Sequence, residues 1–364
     1  MESTPSSTPS STEVKTPETK KPGFFSRLLK RNTSDRHPLD KSDMEKTIEE
    51  MSVQIQTIRK LASTFQIKNS YDAYAFGGVG GSAAPVEIFK SYVRSEGLAK
   101  PLFIIREYEL PPLPKNTLIF IMSYSGNTEE ALSLLRDAKR NDHDVVLLTA
   151  GGKLAETARI YHLPHVMIPQ GLQPRQATAY FFFCLLQMFE NAGLINAQDK
   201  YIAETIAALQ KPIYKKMAQQ LAETLTDKVP IIYTTDRYRG VAHKWKINFN
   251  ENAKIPAFYN IFPELNHNEM IGFTGKLAQV HFILLRDEQE HPRNLKRMAI
   301  TKRLLKKYDY PVTEVVVKGN NYLTKLFSAL YIGDWTSYML ALQYGKDPSP
   351  VALVEEFKDL MNEE

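Results

Sequence analysis

Twenty residues, Asn250 to Glu269, concentrate the groups able to do chemistry. Asn250-Glu251-Asn252-Ala253-Lys254-Ile255-Pro256-Ala257 and Phe262-Pro263-Glu264-Leu265-Asn266-His267-Asn268-Glu269 hold three carboxylates, a histidine, a lysine and, with Asn260, five carboxamides. The segment has neither a clear helical stripe nor strict strand alternation. A polar run broken by Pro256 and Pro263 is either a solvated turn or a site. Interleaved Phe249, Phe258, Tyr259, Ile261, Phe262 and Leu265 imply that part of it is buried. Buried polar groups need partners, which the hydroxyls of a sugar would supply. A hydrogen-bonded structural turn is the other reading, and composition alone weighs the two evenly.

Two further stretches carry anion-binding chemistry. In Ser123-Tyr-Ser-Gly-Asn-Thr128 three hydroxyls, those of Ser123, Ser125 and Thr128, precede a helix whose free N–H groups and dipole attract negative charge. Helix capping explains one of these hydroxyls but not three. Gly77-Gly-Val-Gly-Gly-Ser82 resembles a dinucleotide fingerprint only loosely, because the third glycine and the acidic residue of that pattern are missing. With no lysine in either turn, one phosphate on a small molecule fits better than a nucleoside triphosphate.

Arg175 sits in a Pro-Arg pair at a helix start, where an arginine taken alone is more often solvated than functional. His243, His281 and His291 have no second ligand at metal spacing, and His267, with Glu264 and Glu269 beside it, matches no zinc motif. No metal site is expected.

The elements that must position these residues alternate strand and helix. Ser42 is the expected cap of a helix with Met44, Ile48, Met51, Ile55 and Ile58 on one face. Tyr71–Phe76 reads as a strand running into the glycine turn, with a helix over 83–92. Thr117–Met122 is the next strand, followed by the hydroxyl turn and a helix over 129–140. Further strands are expected at Asp144–Thr149 and around His165–Ile168, then a long apolar helix through Tyr180 and Phe189. Strand, turn and helix in that order build a parallel sheet of the doubly wound, flavodoxin-like kind. After a helical linker carrying Tyr201, Ile206, Leu209, Met217 and Leu221 the layout restarts, with strands at Val229–Thr235, Val280–Leu285 and Thr313–Val317. The expectation is an α/β chain of two such domains, 41–205 and 206–364, behind a disordered basic tail, 1–40. Ligands in such folds sit beyond the carboxyl ends of the strands, where the turns lie.

The 364 residues carry 46 basic and 41 acidic side chains. The surplus comes from Lys15, Lys20, Lys21, Arg27, Lys30, Arg31 and Arg36 against Glu18 and Asp35, all in the tail. The rest is close to neutral, so no basic face for nucleic acid is expected. The tail is rich in Ser, Thr, Pro, Lys and Glu and cannot form a core. Within it, Phe24-Phe25-Ser-Arg-Leu28-Leu29 is a sticky spot, or a short amphipathic turn that docks on a membrane surface or partner. No apolar run reaches the ~20 residues of a membrane span. The single cysteine, Cys184, lies in an apolar run and reads as a buried thiol, which points to a reducing, cytoplasmic setting.

Several motifs in order resemble the bifunctional phosphoglucose/phosphomannose isomerases, a branch of the sugar isomerase (SIS) domain superfamily. They are Gly80-Gly-Ser82, the hydroxyl turn, Pro174-Arg175, Asn250-Glu-Asn-Ala-Lys254, Pro263-Glu-Leu-Asn-His-Asn-Glu269, and Gly333-Asp-Trp-Thr-Ser337 leading to Asp347-Pro-Ser-Pro-Val351. The likeness runs from about residue 45 to the C-terminus. It implies two SIS domains, and binding of a sugar 6-phosphate through Gly81, Ser82, Ser123, Ser125 and Thr128. It also implies Glu251 as base, Arg175 facing the reacting carbons, His267 and Lys358 assisting ring opening, and a homodimer whose neighbouring chain contributes the histidine. The chain departs from the pattern at Ser82-Ala-Ala-Pro, where a further glycine pair and an acidic residue are usual, and at His243, where an arginine is usual. Both bear on substrate preference.

The implied reaction interconverts glucose 6-phosphate, and mannose 6-phosphate, with fructose 6-phosphate through an enediolate. It requires no cofactor, metal, nucleotide or redox step. Glu251 would move a proton between C1 and C2, its basicity raised by partial desolvation. His267, with Lys358 nearby, would exchange a proton with the ring oxygen. Arg175 would offset the enediolate's charge, a role worth several kcal/mol where water is excluded. A non-catalytic SIS-domain sugar-phosphate sensor is the alternative, but a sensor needs neither Glu251 nor His267, and the first 70 residues hold no helix-turn-helix. An amidotransferase-type isomerase would need a nucleophilic cysteine near the N-terminus, which the sequence lacks.

Overall fold

The computed structural model describes residues 36–67 and 70–363. The tail reading and the Phe24–Leu29 motif therefore lie, up to residue 35, outside the described residues. Asp40, the last residue of the expected tail, is fully buried, and its carboxylate accepts from the backbone N–H of Met44 at 2.8 Å and of Glu45 at 2.9 Å. It thus does the capping expected of Ser42, because two carboxylate oxygens satisfy two orphan N–H groups. The helix it starts divides at Glu50 into α1 (Met44–Glu49) and α2 (Met51–Ala62). Met44, Ile48, Met51, Ile55 and Ile58 are all buried, as their spacing requires.

The first sheet follows as β1 (Ala73–Gly77), α3 (Ala84–Ser95), β2 (Leu102–Ile105), β3 (Thr117–Ser123), α4 (Glu129–Arg140), β4 (Asp144–Thr149), α5 (Gly152–Ile160), β5 (His165–Met167) and α6 (Thr178–Asn191). Its strands are all parallel in the order β2-β1-β3-β4-β5. Every residue of β1 and β3 is buried, which is why these strands read as continuous apolar runs: a parallel sheet is covered on both faces. β2 is a strand that the sequence reading missed. On one face the aromatic rings interlock, with Phe76 stacked on Phe120 at 5.2 Å and Phe89 edge-on to Phe189 at 4.9 Å. Cys184, in α6, is wholly buried among them, and burial pushes its thiol up, so it is a packing residue.

Helices α7 (Asp199–Leu209) and α8 (Ile213–Leu225) occupy the expected helical linker. The second sheet comprises β6 (Val229–Thr235), α9 (Arg239–Asn248), β7 (Phe258–Phe262), the single turn α10 (Leu265–Asn268), β8 (Val280–Arg286), α11 (Pro292–Lys307) and β9 (Val312–Val316). Its strands are parallel in the order β7-β6-β8-β9. The chain ends in α12 (Tyr322–Gln343) and α13 (Ala352–Glu363). Helix α12 is buried nearly all round and joins the core of the first sheet, where Phe327 meets Phe182 at 4.9 Å. The two sheets thus share a core that holds their facing loops in a fixed relation. No described helix is long and apolar enough to cross a membrane.

Candidate active site

The hydroxyl turn lies at the switch point of the first sheet, where β1 and β3 lead to helices on opposite sides. Ser123 Oγ is 2.7 Å from Thr128 Oγ1 and 3.5 Å from Ser125 Oγ, and it accepts from the Gly126 N–H at 3.0 Å. Ser82, at the end of the glycine turn, accepts from the Tyr124 N–H at 3.3 Å and so ties the two turns together. Thr128 precedes α4 without capping it, which leaves the helix N-terminus facing the hydroxyls. Gly126 has φ of 71°, and a Cβ there would sit 1.8 Å from Gly151 O, so only glycine fits the turn.

Gly81 links this cradle to the rest of the site. A Cβ on Gly81 would lie 2.8 Å from the backbone nitrogen of Arg175, so the glycine turn packs directly on the Pro174–Gln176 turn. Arg175 is 1% exposed, which corrects the solvated reading of this residue taken alone. Each of its N–H groups has an acceptor. Nε donates to Asn252 Oδ1 at 2.5 Å; Nη1 donates to Glu251 Oε2 at 3.0 Å and to Gln173 Oε1 at 3.4 Å; Nη2 donates to the carbonyls of Pro348 at 2.8 Å and Ser349 at 2.9 Å. Burial pushes the guanidinium below its ordinary value, opposed by the charges of Glu251 and Asp334. The pairs with Glu251 and the two carbonyls join the first-sheet half of the chain to the second.

Glu251 stands on a wide helical turn, Phe249–Ala253, that continues α9 with i→i+5 geometry. The expected non-helical run is therefore helical here, but with a period that no 3.6-residue stripe reveals. Such π turns recur at functional sites because the extra residue re-aims side chains. Phe249 and Asn252 are fully buried, whereas the Glu251 side chain is 32% exposed. Asn252 Nδ2 in turn donates to Ser337 Oγ in α12 at 3.0 Å. Beneath lies a buried ion pair: Lys244 Nζ is 3.0 Å from Asp334 Oδ1, and Asn248 bonds to both at 2.5 Å. Lys254 closes the turn in the left-handed region, φ 62° and ψ 36°, and its ammonium donates to Glu251 O and, at 3.2 Å, to Pro348 O.

His267 and Lys358 lie elsewhere in the chain. His267 is exposed on α10, beside a groove lined by Met270, Ile271, Phe273 and Leu304, and makes no hydrogen bond or ion pair with Arg175 or Glu251. Lys358 is on exposed α13, where it pairs with Glu355 at 2.9 Å. Sequence reasoning missed Lys254, Asn252, Gln173 and the carbonyls of Pro348 and Ser349 as parts of the site. Lys254 and Asn252 stand inside a run already marked by its polarity, but backbone carbonyls leave no trace in residue type.

The corresponding switch point of the second sheet, at the ends of β6 and β8, is occupied by the chain itself. Thr235 Oγ1 donates to Glu290, Tyr238 OH to Asp287 at 2.7 Å, and Lys325 Nζ to Asp287 at 2.6 Å, all buried. Asp287 is paired there with Lys325 and Arg237, so the chain's own side chains fill this position. Among the described residues, no cluster of three His, Cys, Asp or Glu side chains is arranged to hold a metal ion.

Comparison with known proteins identifies the family. Residues 214–361 match the family described as the bacterial phospho-glucose isomerase C-terminal SIS domain. A bifunctional phosphoglucose/phosphomannose isomerase of Caldicellulosiruptor bescii is 35% identical over 88% of this chain and 99% of its own length. One from Aquifex aeolicus is 32% identical over 79% of this chain and 90% of its own. In fold, glucosamine-6-phosphate deaminase of Thermotoga maritima superposes with a TM-score of 0.63 at 17% identity, over 84% of this chain and 96% of that one. With long matches at this identity joined to the SIS architecture, the chain belongs to the bifunctional phosphoglucose/phosphomannose isomerase family.

Proposed function

We propose that this protein interconverts glucose 6-phosphate and mannose 6-phosphate with fructose 6-phosphate, using Glu251 as the base and the Ser123–Thr128 turn as the phosphate cradle. The observation that carries the reading is the 3.0 Å Arg175–Glu251 ion pair, on an arginine whose backbone packs against Gly81 of the cradle. A carboxylate held by a buried guanidinium, yet open to solvent on its other side, is placed to meet a carbon acid. Once the ring has opened, Glu251 takes the proton from C2 of the aldose and returns it to C1, which yields the ketose. Arg175 contributes positive charge beside the developing enediolate. The phosphate, fixed by hydroxyls and the α4 N-terminus with Gly81 and Ser82 alongside, lends its binding energy to positioning. A sugar free to turn about C2–C3 presents either C2 epimer to the same base.

The ring-opening groups are supplied by a second copy in this reading. His267 is exposed and has no hydrogen bond or ion pair with its own Glu251, and it shares a groove with the exposed apolar Ile271. Helix α13 exposes Leu353, Phe357, Leu360 and Met361 along one stripe, next to Lys358. Apolar stripes of this kind suit burial against another chain. A homodimer with shared sites would bring the partner's His267 to Arg175 and Glu251. The single buried thiol suits a reducing, cytoplasmic location.

Two experiments test this. A coupled assay should show turnover of all three sugar phosphates, unaffected by a chelator; a protein that binds them without turnover is a sensor. Mixing Glu251→Gln and His267→Ala proteins under conditions of subunit exchange should restore up to about a quarter of wild-type activity, because mixed twofold dimers hold one intact site. No recovery after proven exchange would put both residues in one chain.

A further inference from the structure

Two cations flank Glu251, and their hydrogen bonding differs. The five N–H groups of Arg175 all have acceptors, and four of those bonds go to Asn252, Glu251 and the Pro348 and Ser349 carbonyls at 3.0 Å or less. A substrate oxygen reaches this guanidinium only by displacing a bond that holds the site together. Lys254 is on the exposed side of the same turn. Its ammonium donates to Glu251 O and Pro348 O, it forms no ion pair among the described residues, and an ammonium carries three N–H donors. One donor therefore remains for a ligand, on a group tied to the backbone of the base itself. The left-handed backbone of Lys254, rare for a residue with a β-carbon, turns this side chain back over Glu251.

Resting on the reading of Glu251 as base, we propose that Lys254 supplies the N–H that meets the substrate oxygens during enolisation and carries their proton. As Glu251 removes the C2 proton, the C2–H electron pair forms the C1=C2 bond. The C1=O pair then moves to O1, which takes a proton from Lys254. On collapse to the ketose, O2 gives its proton to the neutral amine while Glu251 returns a proton to C1, so both residues end as they began. Partial burial of the ammonium, and then the charge of Arg175, push the Lys254 amine down to about 8, with Asp347 and Glu251 opposing. Such an amine is a cation at neutral pH and releases its proton more readily than an ordinary lysine.

A lysine that only caps the turn would have the same two carbonyl bonds, so the test must separate the roles. Lys254→Met, Lys254→Arg and Glu251→Gln are compared for kcat, KM and the pH profile of kcat/KM with fructose 6-phosphate. We expect Lys254→Met to lower kcat about 10²- to 10³-fold with KM changed less than about threefold. The wild-type profile should fall above about pH 8, and in Lys254→Arg that fall should vanish. A Lys254→Met enzyme within about threefold of wild-type kcat, beside an inactive Glu251→Gln, overturns the role of the lysine alone. An active Glu251→Gln overturns the underlying site reading instead. Should Lys254→Met fail to fold, the Lys254→Arg profile decides, and an unchanged alkaline fall rejects the proposal.

Discussion

Arg175 Nη1 and Glu251 Oε2 meet at 3.0 Å although 76 residues separate them, one following the first sheet and the other lying between the first two strands of the second. Their contact ties the two α/β halves together. The arginine is wholly buried and the carboxylate is one-third exposed, so the pair has a fixed inner side and an open outer one. The fixed side is built from Asn252, Gln173 and two backbone carbonyls; the open side faces solvent.

Arg175→Lys should therefore behave as a severe change. A lysine offers three donors from one point and cannot serve Asn252, Glu251 and the Pro348 and Ser349 carbonyls together. Each buried acceptor left unpaired costs about 1–3 kcal/mol. Urea unfolding should show a loss of that order, and turnover should fall at least about a hundredfold. Wild-type stability and turnover in this variant would mean that the five-bond arrangement is not needed.

The Lys244–Asp334 pair beneath the site makes a second test. Both side chains are at most 4% exposed, and Asn248, which bonds to each, ends the helix that leads into the Glu251 turn. Asp334→Ala strands a buried ammonium and should cost about 3–5 kcal/mol in equilibrium unfolding. Replacing Lys244 by Met as well should recover a large part of that loss. A double variant no better than the single one would show that the charge is not the cause.

Acid sensitivity should be traceable in part to His281. Burial, then the charge of Lys228, push its imidazole down to about 4, while Nε2 bonds to Thr313 at 2.8 Å. The unfolded chain takes up this proton near pH ~6.5 and the folded one does not, so stability falls as the pH drops from there to about 4. One proton gives a slope of about 1.4 kcal/mol per pH unit at most. His281→Gln should flatten the pH dependence of the urea midpoint between pH 7 and 5; equal slopes in both proteins would contradict the assignment.

What could be read from sequence follows from burial. β3 and β6 declare themselves because central parallel strands are apolar on both faces, whereas the two missed strands, Leu102–Ile105 and Phe258–Phe262, lie at sheet edges. Phe258 is exposed and Asn260 interrupts the apolar pattern, so that edge strand reads as part of a polar run. The turn that gathers the Ser123, Ser125 and Thr128 hydroxyls was legible, since their types and spacing are the signal. The burial of Arg175 was not, because its acceptors are mostly distant backbone and amide groups. Lys254 was hidden by its left-handed backbone and by a π turn, neither of which residue type announces. The roles of Arg175, Glu251, His267 and Lys358 came only through the family resemblance.

The central claim is that Glu251 carries the proton between C1 and C2, and Glu251→Gln tests it directly. The carboxamide keeps the shape of the side chain and loses the base. We expect sugar-phosphate affinity close to wild type with isomerisation reduced to below about a hundredth, for glucose and mannose 6-phosphates alike. A variant that binds as wild type and still turns over faster than that would contradict the account and place the base elsewhere.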